Sequence, residues 1–335
     1  MTLVKKLRWA ALAALPALFI GAFFYWPLIK IFSHALGSEA IDEFGSLLLK
    51  GSFHQIAWFT VWQAFLSTVL TMVVAFPAAY LMARYSFRGR RILQVITTIP
   101  FVLPTVVVAG AFTALFERFG LDEGTFRLRH TVWALLVAHV FFNLAIAIRT
   151  VSTFWSGLDP RVEEQAKILG ATPWQVFRKV TFPRLVPALT GATSIVFLFC
   201  LTSFGVVLLL SGPTRATIET EIWRHAVWRG DIATASSLAV IQLVAVLLMV
   251  LLMSHLQRRQ AIVENRIDLV YEKAPKNLLT GNIFLLLFLI GLPIIVLLER
   301  SMAVGDGYSF QNFLSLADRV ALVPVSALAA LKNSL

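Results

Sequence analysis

Charge is scarce in this sequence, and what there is leans to one sign. Only 14% of its 335 residues are charged, against about 25% in an ordinary globular domain, so the usual water-soluble surface is excluded. Acidic residues are the scarcer kind, 18 against 29 basic, for a net charge of +11. A single cysteine, Cys200, excludes an intrachain disulfide framework and leaves no cysteine pair at metal-ligand spacing. Lying in an apolar run, it reads as a small helix-packing residue. The six histidines are scattered with no pair at metal-ligand spacing, and no Ser/His/Asp set points to a nucleophile. No G-x-x-x-x-G-K-[ST] phosphate loop occurs, so any ATP chemistry belongs to another chain. The expected catalytic residues, metal ligands and resident cofactors are therefore none.

What the sequence has is apolar length. Hydrophobic residues make up 58% of it and its mean hydropathy is +0.79, the composition of an integral membrane protein. Crossing a bilayer takes about 20 apolar residues, and such runs fall near 8–29, 56–83, 93–116, 131–148, 186–210, 237–255 and 278–298, with an eighth beginning near 321. The fold expected is an all-α polytopic bundle of seven or eight spans. A basic start, MTLVKKLRW, precedes the first run, which is as long as a span and lacks a small-x-small cleavage site. It is expected to stay as an uncleaved anchor helix. With the N-terminus inside, the inside segments hold 18 basic and 6 acidic residues and the outside ones 10 basic and 12 acidic. That asymmetry follows the positive-inside rule. The positive charge therefore marks orientation and not nucleic-acid binding.

One long polar stretch interrupts the apolar runs, DPRVEEQAKILGATPWQVFRKVTFPRLVP at 159–187. Asp159 can cap a helix with Pro160 at its first position, and Gly170 can close it. Thr172, Pro173 and Gln175 then have the spacing of a capping box. Two short helices joined at a glycine are expected, with Val162, Ala166 and Leu169 on one face of the first. A groove in a partner or the lipid headgroups would each suit such a face.

Glu164-Gln165-Ala166, then Gly170, then Val180-Thr181-Phe182-Pro183 resembles the E-A-A loop of ABC importer permeases, E-A-A-x3-G-x9-I-x-L-P, in spacing throughout. Gln165, Val180 and Phe182 are mild departures. Further likeness lies in Phe76-Pro77-Ala78-Ala79-Tyr80-Leu81, and in Pro100 to Pro104 followed by Val106 to Gly110, where two prolines four apart predict a kinked span. The resemblance covers roughly 55–260. It implies the membrane domain of a type I ABC importer, with Glu163, Glu164, Ala166, Gly170 and Pro183 coupling it to a cytoplasmic ATPase dimer that binds ATP and magnesium. It also implies an extracytoplasmic substrate-binding protein and a second permease half as partners, in a multi-pass cell-membrane protein surrounded by lipid.

Candidates for the translocation path are His139, Asn143, Thr202, Ser203 and Gln242. His139 and Asn143, four apart on one helix face, serve equally well in an inter-helix hydrogen bond, which is the favoured reading. Glu219 and Glu221, on a loop helix after Ser211-Gly212-Pro213, face the binding protein or are simply solvated. No Asp, Glu, Lys or Arg lies in the middle of a complete span, which counts against an ion-coupled secondary transporter. The expected organisation is an anchor and outside loop at 1–55, a permease domain at 56–256, a charged linker at 257–277 and, at 278–335, the start of a second half that the sequence breaks off. The last assignment rests on residues 326–335 aligning weakly with Ala57 to Leu66. The two-half layout is similar to permeases for thiamine and for ferric iron, and thiamine is the expected solute.

Overall fold

The computed structural model describes residues 13–35, 45, 51–212, 214–259, 272–305, 307–318 and 325–334. Residues 1–12, which hold the basic start, most of the linker at 260–271, and 319–324 at the expected eighth span lie outside the described residues. Among the described residues, six helices are long and apolar enough to cross a membrane, and a bent pair brings the number to seven if it forms one span. They are α1 (Ala13–Ala35), α2 (Gly51–Arg84), the pair α3 (Arg90–Val102) and α4 (Thr105–Arg118), α5 (Val132–Trp155), α7 (Pro173–Leu201), α10 (Ile232–Arg259) and α11 (Lys276–Met302). Short helices fill the connections: α6 (Arg161–Ile168), α8 (Gly205–Leu210), α9 (Ile218–Trp223), which a π turn extends to Arg229, and α12 (Ala327–Ser334).

Two expected spans take a different form. The run at 93–116 is kinked as its prolines predict, and so sharply that it parts into two helices: α3 and α4 meet at Leu103-Pro104 with a bend of 102°. Leu103 and Pro104 both adopt extended ψ values of 138°, since a residue before proline is driven out of the α region and proline donates no N–H to continue the ladder. The run at 186–210 is also displaced. Its helix begins at Pro173, so the second short helix of the polar stretch is the first turn of the span, and it ends at Leu201. Pro183 is absorbed by a π turn over Phe177–Thr181, where the Phe182 N–H donates to the Phe177 carbonyl five residues back.

The chain divides into two compact units, residues 1–69 with 159–265, and 70–158 with 266–335. In the first, α10 packs along α1 and α7, and the Ser194 hydroxyl approaches the Met253 sulfur at 3.1 Å. Ile218 and Leu238 form a buried pair there, ringed by Phe53, Ile56, Ala57, Ile222 and Ile241, so α9 is wedged between the start of α2 and α10.

In the second unit, Trp155 is fully buried with Phe76 and Tyr80 at ring-centroid distances of 5.3 and 5.1 Å. Phe112 of α4 meets Phe141 of α5 edge-on at 5.5 Å. Strand β1 (Tyr85–Ser86) pairs in parallel with β2 (Glu272–Lys273), and β3 (Ala303–Val304) pairs antiparallel with β4 (Gly307–Tyr308). Glu117 at the end of α4 receives Arg129 and Arg300, and Arg118 lies 3.7 Å from Glu299. These charges tie the ends of α4 and α11 together.

Candidate functional site

The polar stretch folds as its local signals dictate. The Asp159 carboxylate accepts the Arg161 N–H at 2.9 Å, and α6 follows. It closes in a Schellman pair: the Ala171 N–H donates to the Ala166 carbonyl at 3.0 Å, and the Gly170 N–H to the Lys167 carbonyl at 2.9 Å. Gly170 has φ +88°, the left-handed region that a side chain disfavours. Thr172 and Gln175 then form the reciprocal capping box, at 2.9 and 3.3 Å, that opens α7.

Two contacts brace this elbow to α7. The Thr181 hydroxyl donates to Glu163 Oε1 at 2.8 Å, and Arg184 Nη1 donates to the Asp159 carbonyl at 3.2 Å. Glu163 is thus held inward, whereas Glu164 is exposed and Ala166 half-buried. The tip is apolar and open: Ile168 and Leu169 are 83% and 88% exposed, and Trp174 stands out beside them, stacked on Phe177. The result is a stiff projection with an apolar end, a shape for insertion into a partner's cleft.

The candidates for a path fall into different units. His139 and Asn143 are buried in α5 in the second unit, where the Asn143 amide donates to the His139 carbonyl of its own helix at 2.9 Å. Thr202, Ser203 and Gln242 belong to the first. Thr202 and Ser203 form the break between α7 and α8, and the Thr202 hydroxyl caps the helix on the Leu198 carbonyl at 2.9 Å. Gln242 is buried on α10, and its amide donates to Glu219 Oε1 at 3.4 Å. Glu221 is buried too, its carboxylate 2.6 Å from Arg224. Neither acidic side chain stands free on a loop.

Residues that sequence reasoning passed over complete this region. Gln63 is fully buried in α2 and donates to the Cys200 carbonyl at 3.0 Å, and Thr60, one turn away, accepts the Ile218 N–H at 3.1 Å. The signal was present: Thr60, Gln63, Ser67 and Thr71 form a polar stripe at helical spacing within an apolar span, all buried. Thr60 and Thr68 satisfy their own hydroxyls on carbonyls four residues back, at 2.8 and 2.7 Å, which lets them sit at membrane depth.

A helical membrane protein with a braced helix–glycine elbow, and with a second helix broken beside buried polar side chains, is built as a transport protein. The chain belongs to the binding-protein-dependent transport system inner membrane components, whose family profile matches residues 75–268. It is the permease subunit of an ABC importer, embedded in the membrane by several helices. The sulfate transport system permease protein CysT of Escherichia coli (strain K12) is 32% identical over 209 residues, 60% of this chain and 75% of that protein. The thiamine transport system permease protein ThiP of Salmonella typhimurium (strain LT2) is also 32% identical over 209 residues, but these are 39% of its length. The chain thus spans about two-fifths of its thiamine-permease relatives. A solved bacterial ABC transporter involved in the import of the acidic polysaccharide alginate superposes with a TM-score of 0.61 at 21% identity, over 76% of this chain and 96% of that one. The all-α polytopic fold expected from the sequence is the fold of these importer membrane domains.

Proposed function

We propose that this permease carries thiamine inward, driven by ATP that a separate cytoplasmic ATPase dimer binds with magnesium and hydrolyses. In this reading the elbow of 159–187 and the N-terminus are cytoplasmic, an extracytoplasmic binding protein delivers the solute, and a second permease half completes the path. The observation that supports the coupling role is the braced Gly170 elbow with its exposed apolar tip. It is the one stretch where Glu164, Ala166 and Gly170 keep the family spacing, and it stands in the loop set with the basic excess.

The solute assignment rests on layout. Beyond the family-matched region the chain continues into the apolar helix α11, in keeping with a two-half arrangement similar to that of permeases for thiamine and for ferric iron. Relatives for sulfate are as similar in sequence, so the deciding measurement is uptake. Proteoliposomes holding the full-length permease, its ATPase and its binding protein are offered labelled thiamine, sulfate and ferric iron in parallel. ATP-dependent thiamine uptake is expected. Uptake of sulfate or iron in its place keeps the importer and overturns the thiamine assignment.

A further inference from the structure

The first unit brings an acidic side chain to a depth that no span reveals. Helix α2 starts at Gly51, and at 1.5 Å per residue Thr60 and Gln63 lie about 14 and 18 Å along it. Their bonds to Ile218 and Cys200 hold the start of α9 and the end of α7 at those levels. The neighbouring hairpin gives a second measure of where this region lies. From Glu219 the chain climbs through the π turn to Gly230, turns there at φ +66°, and returns along α10 to Gln242. Each arm is about 16–18 Å long, and the Gln242 bond to Glu219 closes the two arms at their base. Since α10 runs for 28 residues, about 42 Å, a hydrocarbon core about 30 Å thick centred on it places this base roughly 10 Å inside. An ionisable group at such depth marks a functional site. A helix broken at a similar level, as α7 is at Thr202, is how transporters line one.

The chemistry there has one sign. The arginines of the hairpin are already engaged, Arg224 by Glu221 and Arg229 by His225 at 2.8 Å. Glu219 has no ion pair among the described residues; its hydrogen bond is the long one from Gln242. The Glu219 carboxylate accepts and does not donate, so it complements a positively charged solute bearing N–H groups and repels an oxyanion.

We propose that Glu219, positioned by Gln242, is a recognition site for a cationic solute inside the permease. The proposal rests on the importer reading above and narrows its solute to a cation.

The test uses the same proteoliposomes with Glu219→Gln, which removes the charge at constant shape, and Glu219→Asp, which keeps it. Co-purification of each variant with the ATPase separates a folding failure from a transport defect. An assembled Glu219→Gln permease is expected to lose thiamine uptake at least tenfold, and Glu219→Asp to keep it within about threefold. Thiamine carried by Glu219→Gln at the wild-type rate overturns the site and leaves the thiamine assignment standing. Equal losses in both assembled variants also overturn it, because a recognition charge must be rescued by aspartate. Ferric iron carried in place of thiamine, and lost in Glu219→Gln, overturns the thiamine assignment and keeps the cation site; sulfate uptake by the wild type overturns both. Should Glu219→Gln fail to assemble, Gln242→Met, which at similar volume removes the hydrogen bond that positions Glu219, takes its place with a drop of about fivefold expected and wild-type uptake as the refuting result.

Discussion

Replacing Gly170 isolates the elbow, because the substitution has a cost but no collision. A Cβ added there meets no heavy atom within 4 Å, so the penalty is that of holding a side chain at φ +88°. The left-handed region costs an L-residue about 1–2 kcal/mol, with asparagine the most tolerant and β-branched residues the least. About 1 kcal/mol for Gly170→Ala lowers the population of the closed elbow about fivefold relative to the open one, and about 2 kcal/mol for Gly170→Val lowers it about thirtyfold. Gly170→Asn should stay close to wild type. With Ile168 and Leu169 at the tip, loss of the elbow misplaces the apolar end that the proposed ATPase cleft receives. Solute-stimulated ATPase activity and uptake should therefore fall in the order Asn, Ala, Val, while the amount of permease in the membrane stays level. Wild-type uptake by Gly170→Val, or a loss in Gly170→Asn as large as that in Gly170→Val, would refute the coupling argument.

Reversing the exposed Glu164 to lysine should reduce recovery of the ATPase in pull-downs severalfold, and full recovery would count against docking at this face. Thr181→Val deletes the hydroxyl that Glu163 accepts; with about 1.5 kcal/mol for a bond to a charged group, amide exchange across α6 should quicken about tenfold, and unchanged exchange would mean the brace is idle. At the hairpin tip, burial alone raises the Asp231 carboxyl, but hydrogen bonds from the Thr234 hydroxyl and amide and from His225, with the His225 charge, outweigh it and hold the group below its ordinary value. A depressed carboxyl stabilises above its unfolded pKa of about 3.9 and loses that stabilisation as pH falls through the lower folded value. Protection of the Thr234 amide should therefore persist through neutral pH and disappear only in strong acid, and Asp231→Asn should abolish the pH dependence; loss of protection already near pH 6 would contradict the assignment.

The elbow was legible because each of its parts is local. Asp159, Gly170 and the Thr172 to Gln175 box act on backbone groups two to five residues away, and such bonds form wherever the rest of the chain goes. The span count was legible for the same reason, since about 20 apolar residues commit a segment to the bilayer whatever its neighbours. Span ends were less so. Hydropathy does not separate a helix that stops at Leu201 and resumes at Gly205 from one that runs on to Leu210, since Thr202 and Ser203 are too few and too weakly polar to interrupt an apolar run. The prolines near Leu103 announced a disturbance, but its 102° depends on what α3 and α4 pack against.

The amino-acid sequence by itself determined that this protein crosses the membrane, which way its loop charges bias it, and where its helix–glycine elbow turns. Tertiary structure alone decided that Glu219, on a segment that reads as a solvated loop, hangs beside Gln242, and that Gln63 meets a carbonyl 137 positions away. Periodicity reports which face of a helix is apolar; it carries no term for the depth at which a re-entering helix is wedged. That depth is set by packing of Ile218 and Leu238 and by the bond from Ile218 to Thr60, contacts that exist only once distant segments are side by side.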